Sequence, residues 1–197
     1  MRFPLDLRFK IVAVAPQISV TDASGALVFY VKQKAFKLKE SVTVFQDEAQ
    51  TRPLYQMTAD RVLDISAQYR IEEVGGAPLG VLQRHGMRSF WRAHYEAHRG
   101  GVPVLSVREE NPWVKVLDGF VSEIPIVGLF AGYVLHPAYR MTRAGAREGV
   151  DVLRAVKRPA FLESRYAIEQ LQPLPEGDQP LAVLSLLMLL LLERSRG

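Results

Sequence analysis

The apolar positions of this chain follow two patterns. Up to about residue 171 they come in short runs, broken near every tenth residue by turn signals, as in a sandwich or barrel. At the far end they fuse into the unbroken stretch Leu181 to Leu192. A helix lying on a protein surface carries one apolar stripe and one polar face. This stretch is apolar on every side. Its one polar residue is Ser185, whose hydroxyl is expected to bond back to a carbonyl one turn earlier. Such a segment belongs inside a bilayer or inside a protein, and length separates the two. Its twelve residues would rise about 18 Å as a helix, whereas a bilayer core needs about 30 Å and about 20 apolar residues. Glu176, Asp178, Glu193 and Arg194 block any extension. The pattern predicts a helix over 181–192 buried in protein. The strand-rich chain before it predicts the container, a β-barrel closed around the helix.

The strands are expected at Phe9–Val14, Ala26–Val31, Ser41–Phe45, Leu54–Thr58, Asp64–Ile71, Leu79–Gln83, Ser89–His98, Val102–Val107, Pro125–Leu135, Tyr139–Thr142, Val150–Val156 and Ser164–Leu171, where β-branched and aromatic residues gather. Turns are expected at Asp22-Ala23-Ser24-Gly25, Asp47 to Arg52, Gly75-Gly76, Arg99-Gly100-Gly101 and Gly145–Gly149. Asn111 and Pro112 suit the cap and first turn of a short helix over 112–119. Trp91 is expected in the core and Trp113 to pin that helix to the barrel. Gln172 to Pro180 reads as the loop into the terminal helix.

Length changes the picture little: 197 residues are most simply one domain, 1–197. The absence of cysteine removes disulfides, thiolate metal sites and a cysteine nucleophile, and fits a reducing compartment. The first residues carry no long apolar core followed by a small-residue cleavage site, so no secretory leader is expected. A cytoplasmic location is expected, peripheral to the membrane if the basic residues act there. The net charge of +4 and a pI near 9.4 are mildly basic, compatible with anionic partners.

The basic residues are the leading candidates for function. Lys32, Lys34, Lys37 and Lys39 fall within eight residues, and Arg84, Arg88 and Arg92 form a second set. Near an anionic membrane each such charge gains about 1 kcal/mol. The competing role is protection of strand edges. Phe90, Trp91 and Tyr95 beside Arg92 could stack on bases, but an aromatic strand more often supplies barrel core, and no nucleic acid is expected. His94 and His98 stand four apart around Glu96, but Tyr95 occupies the place where the zinc motif requires Glu, so no metal is expected. No nucleophile elbow or phosphate-binding loop occurs, and no cofactor is expected. The pairs Glu72-Glu73 and Glu109-Glu110 are expected on solvated strand ends.

The segments Tyr30-Val31-Lys32-Gln33-Lys34, Phe36-Lys37-Leu38-Lys39-Glu40 and Val44-Phe45-Gln46-Asp47-Glu48, with Gly80 through Tyr95 and the closing apolar helix, resemble the LURP-one-related proteins. These sit in the tubby C-terminal-like superfamily with the phospholipid scramblases. The resemblance spans about residues 25–192. It implies a mainly β fold, a closed barrel of roughly twelve strands threaded by a C-terminal helix. Tubby domains hold phosphoinositides through basic residues, scramblases associate with membranes, and many LURP-one-related proteins have no assigned activity. A proline-rich N-terminal region, a cysteine cluster and a calcium loop are missing. Asp118-Gly119 lacks the alternating acidic ligands of such a loop, so calcium-driven scrambling is not expected. The expected role is a non-enzymatic module that engages anionic phospholipid headgroups or acts as a scaffold. The rival is an enzyme with a site in the barrel mouth.

Overall fold

The computed structural model of the chain describes residues 1–12, 15–32, 41–60, 68–84, 94–110, 138–144, 149–160 and 163–194. They form twelve strands: β1 Leu5–Val12, β2 Ala15–Thr21, β3 Leu27–Lys32, β4 Ser41–Phe45, β5 Pro53–Ala59, β6 Gln68–Glu73, β7 Pro78–Arg84, β8 His94–Arg99, β9 Val102–Glu109, β10 Ala138–Arg143, β11 Asp151–Arg158 and β12 Glu163–Gln170. Each pairs antiparallel with the next, and β1 closes the ring onto β12 with Leu5 opposite Ile168. Helix α1, Gln179–Arg194, follows a short 3-10 turn at Glu176–Asp178. Closure leaves no free sheet edge at either end of the strand order.

Strand alternation drives the wall. In β4 the sequence Ser-Val-Thr-Val-Phe puts Val42 and Val44 fully inside, while Ser41, Thr43 and Phe45 are half-buried. The turns are held by local chemistry. The Asp22 carboxylate accepts hydrogen bonds from the backbone N–H of Ser24 and Ala26, and the Asp47 carboxylate accepts from the N–H and hydroxyl of Thr51.

Inside the barrel lies α1, with every residue from Leu181 to Leu192 buried. The container inferred from the apolar pattern is therefore the protein itself. The helix runs past the predicted 181–192 by two residues at each end. Ser185 departs from expectation. Its hydroxyl is fully buried and makes no hydrogen bond among the described residues, so the anticipated bond back to the helix carbonyl is not formed.

The direction of α1 defines the two ends of the barrel. Arg99, at the finish of β8, donates to Asp178 at 2.6 Å, and Tyr95, near the start of β8, reaches Glu193 at 3.4 Å. The helix thus enters at the Arg99 end and finishes at the Tyr95 end, called here the exit end. Odd-numbered strands finish at the exit end because neighbours alternate in direction.

Two expectations need correction. Where one strand was expected at Phe9–Val14, the chain makes a hairpin, β1 and β2, with residues 13 and 14 between them. Several strands also extend further than read, as Val102–Glu109 does beyond Val107. The helix at 112–119, the strand at Pro125–Leu135, most of the turn at Gly145–Gly149, and both Trp91 and Trp113 lie outside the described residues. Among the described residues no helix is long and apolar enough to cross a membrane. The wall faces outward with charge, through Arg8, Arg70, Arg140 and Arg158, and inward with apolar groups. A membrane-spanning barrel reverses that order.

Candidate functional site

Two of the seven predicted basic residues, Lys32 and Arg84, are among the described residues. Lys32 and Arg84 finish β3 and β7, two strands of the same direction, so both stand at the exit end. Lys34, Lys37 and Lys39 belong to the connection from β3 to β4, and Arg88 and Arg92 to the connection from β7 to β8. These five lie outside the described residues. Both connections leave and return at the exit end. Around the rim β3 and β7 are separated by β4, β5 and β6.

Alternation separates Lys32 from Arg84. Lys32 sits opposite Gln17 at an outward position and is exposed. Arg84 shares the inward parity of Gly80 and Leu82. Its guanidinium carbon stands 6.0 Å from the Tyr95 ring centroid, and its Nε is buried without a hydrogen-bond partner among the described residues. The arginine read as part of a surface set is directed into the barrel.

Around it the exit mouth gathers titratable groups. Tyr95 and Tyr139 are buried, and Tyr166 is half-buried. Glu109, expected on a solvated rim, is instead 4% exposed, because Leu105, Val107 and Glu109 share the inward parity of β9. It stands directly opposite Tyr139. Burial above all, then the nearby Tyr166, Glu109 and Glu193, pushes the Tyr139 phenol far above its ordinary range. Burial likewise pushes Tyr166 up to about 12. At neutral pH both phenols stay protonated. Arg194 lies 5.2 Å from the Phe9 ring centroid, so the chain's own cations cover both the Tyr95 and Phe9 rings. This arrangement fastens the end of α1 to the wall.

Glu110, one residue on, faces outward and has a different task. Arg154 grips both its oxygens at 2.8 and 3.0 Å, and Arg140 donates at 3.0 Å. The Arg154 hydrogen bonds, foremost, hold its carboxyl below the usual carboxylate range.

On the outer wall, His94, Glu96 and His98 form a row along β8. His94 Nε2 lies 3.1 Å from the Ser106 hydroxyl and 3.8 Å from Glu96, and His98 Nε2 lies 3.4 Å from Glu96. Sequence alone gave no sign that a serine and a histidine meet. The geometry is not that of a catalytic triad, in which the acid holds Nδ1 while Nε2 faces the serine; here both contacts use Nε2. Among the described residues no group of three or more His, Asp or Glu side chains is placed to hold a metal ion.

Comparison with known proteins adds the lineage. The LURP-one-related family model matches residues 27–123. No curated protein and no solved structure matches the chain. The match begins at β3, takes in both basic stretches and the whole of β4 to β9, and ends in the connection that follows β9. Over residues 27–123 the chain is similar to the LURP-one-related family.

Proposed function

We propose that this barrel is a non-enzymatic module that engages anionic phospholipid headgroups through basic residues at its exit end. The observation that supports the reading is that β3 and β7, the strands that finish in Lys32 and Arg84, end on the same side of the barrel, and the other five candidate cations follow these two strands in sequence. A curved wall with cations on several sides would present no common surface to a planar membrane. Cations at one end do. Lysines there act as point charges on phosphate, and each adds about 1 kcal/mol near an anionic surface. The mouth cluster supports a structural task in place of catalysis. Its phenols, carboxylates and arginines face one another and the end of α1.

The test is sedimentation of purified protein with vesicles of neutral lipid and with vesicles containing anionic lipid. The expected result is binding to the anionic vesicles alone, weakening with salt because exposed charges are screened over about 8–10 Å. The double variant Lys37→Ala/Lys39→Ala is expected to bind less with an unchanged melting temperature. Equal binding to both kinds of vesicle removes the electrostatic argument. Full binding by the double variant moves the site to Arg88 and Arg92.

A further inference from the structure

A groove of about 500 Å³ crosses the outer wall over β6, β7 and β8, towards the entry end. Strand register explains its shape. Arg70 of β6, Val81 of β7 and His98 of β8 lie in one cross-strand row, and Gln68 and Gln83 lie opposite each other in the next. The outward residues Leu79 and Val81 of β7 are short and apolar and make the floor. Longer polar side chains on β6 and β8 make the sides. The volume falls within the range of about 300–1,000 Å³ typical of small-molecule sites.

Its charge is one-sided. Arg70, His98 and Arg99 line the groove, and no carboxylate is among the described residues that line it. Arg99 is engaged with Asp178. Arg70 is exposed and has no hydrogen bond or ion pair among the described residues, and the side-chain amides of Gln68 and Gln83 have none either. His98 Nε2 is buried and has no aligned hydrogen bond among the described residues, although Glu96 lies 3.4 Å away. Beyond Arg70 a smaller depression of about 280 Å³ carries Asp60 and Glu72, and neither pairs with Arg70. The arginine therefore stands between an acidic hollow and a groove whose described lining has no carboxylate, and its fork has no partner among the described residues.

We propose that this groove binds a small oxyanion on a short apolar body, a carboxylate or a phosphate monoester. The guanidinium fork of Arg70 takes the oxyanion in bidentate fashion. The amides of Gln68 and Gln83 supply further donors, and Leu79 and Val81 lie under the apolar part. The site is on the wall and the proposed lipid surface is at the exit end, so the two readings stand or fall separately.

The experiment is an NMR titration of the amide signals of the full chain with hexanoate, hexyl phosphate, inorganic phosphate and hexanol. The expected result is saturable shifts at Val81, His98 and Gly100 with hexanoate or hexyl phosphate. Whichever binds more tightly identifies the oxyanion. Inorganic phosphate should bind more weakly, and hexanol not at all. Arg70→Ala should weaken binding about tenfold or more, the loss expected for a charge-assisted hydrogen bond. Arg70→Lys should recover part of it, and Lys37→Ala/Lys39→Ala should leave it unchanged. Should Arg70→Ala disturb signals outside the groove, Arg70→Gln takes its place. No saturable shift with either amphiphilic anion, or the same titration curve in the Arg70 variants, overturns the proposal.

Discussion

Gly80 of β7 and Leu181 of α1 meet so closely that a β-carbon on Gly80 would stand 3.0 Å from Leu181 Cδ1 and 2.5 Å from the His98 carbonyl oxygen. Glycine is needed here for space, because the wall strand and the buried helix share one layer. Gly80→Ala should destabilise the protein by about 1–3 kcal/mol, the usual cost of overpacking, read as a lower melting temperature. Leu181→Ala should relieve only part of that loss, because the His98 carbonyl remains in the way. A double-mutant cycle should therefore show a non-zero coupling. A Gly80→Ala variant as stable as the parent would mean that β7 and α1 do not approach this closely.

Ser185 leads to the opposite expectation. Its buried hydroxyl has no hydrogen-bond partner among the described residues, and a buried unsatisfied group costs about 1–3 kcal/mol. Alanine removes that group, changes volume little and is the better helix former. Ser185→Ala should raise stability by about 1 kcal/mol, roughly 2–4 °C for a chain of this size. A lower melting temperature in this variant would show that the hydroxyl is satisfied after all.

These two residues mark how far the sequence could be read. The all-round apolar stretch from Leu181 to Leu192 identified the helix and its burial, because length and polar flanks left no other place for it. The turns at Asp22, Gly75 and Gly100 were legible for a similar reason, since the backbone there calls for glycine or a side-chain acceptor. The β1–β2 hairpin was not legible. Ala13 and Val14 are not typical turn residues, so Phe9 to Val14 read as one continuous strand.

The direction in which the candidate residues point was not legible. Arg84, Arg88 and Arg92 were grouped by spacing, yet β7 alternates, and Gly80, Leu82 and Arg84 share its inward face. Glu109 and Glu110 are identical neighbours in sequence. Only their parity on β9 separates a buried carboxylate from an exposed ion pair. Nothing in the sequence marked Arg70, because its setting comes from the residues that strand register places beside it, Val81 and then His98, and neither is a carboxylate.

The outward ion pairs set the behaviour in acid. Glu110 is lowered first by the Arg154 hydrogen bonds. For Asp6 burial works the other way, but hydrogen bonds from Arg165 and Arg8 prevail and hold its carboxyl below the ordinary value. A folded-state pKa below the unfolded one means that the unfolded chain binds more protons in that window. The stability contributed is fully present above the unfolded values of about 4, and it is lost as pH falls through the lowered folded ones. The partners of Glu110 are 35% and 44% exposed, so solvent screening keeps each pair to about 1 kcal/mol or less. Melting temperature should therefore decline below about pH 4–5, and Glu110→Gln should make that decline shallower. An acid limb identical in Glu110→Gln would assign the effect to other carboxylates.

Lys32 and Arg84 allow the surface reading to be separated from the packing one. Both end a strand at the exit end, and both were read as lipid contacts. Lys32 is exposed at an outward position with no ion pair among the described residues, so Lys32→Ala should leave stability within about 0.5 kcal/mol, as for most surface substitutions. If the exit end meets anionic vesicles, the same change should weaken that binding and reduce its salt dependence. Arg84 is half-buried on the inward face, with its guanidinium over the Tyr95 ring. Arg84→Ala removes a cation–π contact of about 0.5–2 kcal/mol together with the packing of its stem. It should therefore lower the melting temperature, whereas vesicle binding per folded molecule should change less than in Lys32→Ala. The two effects are read on one pair of variants, by thermal melts and by vesicle sedimentation. A reversed outcome, with Arg84→Ala thermally silent and defective only in binding, would place its guanidinium outside the barrel at the lipid surface.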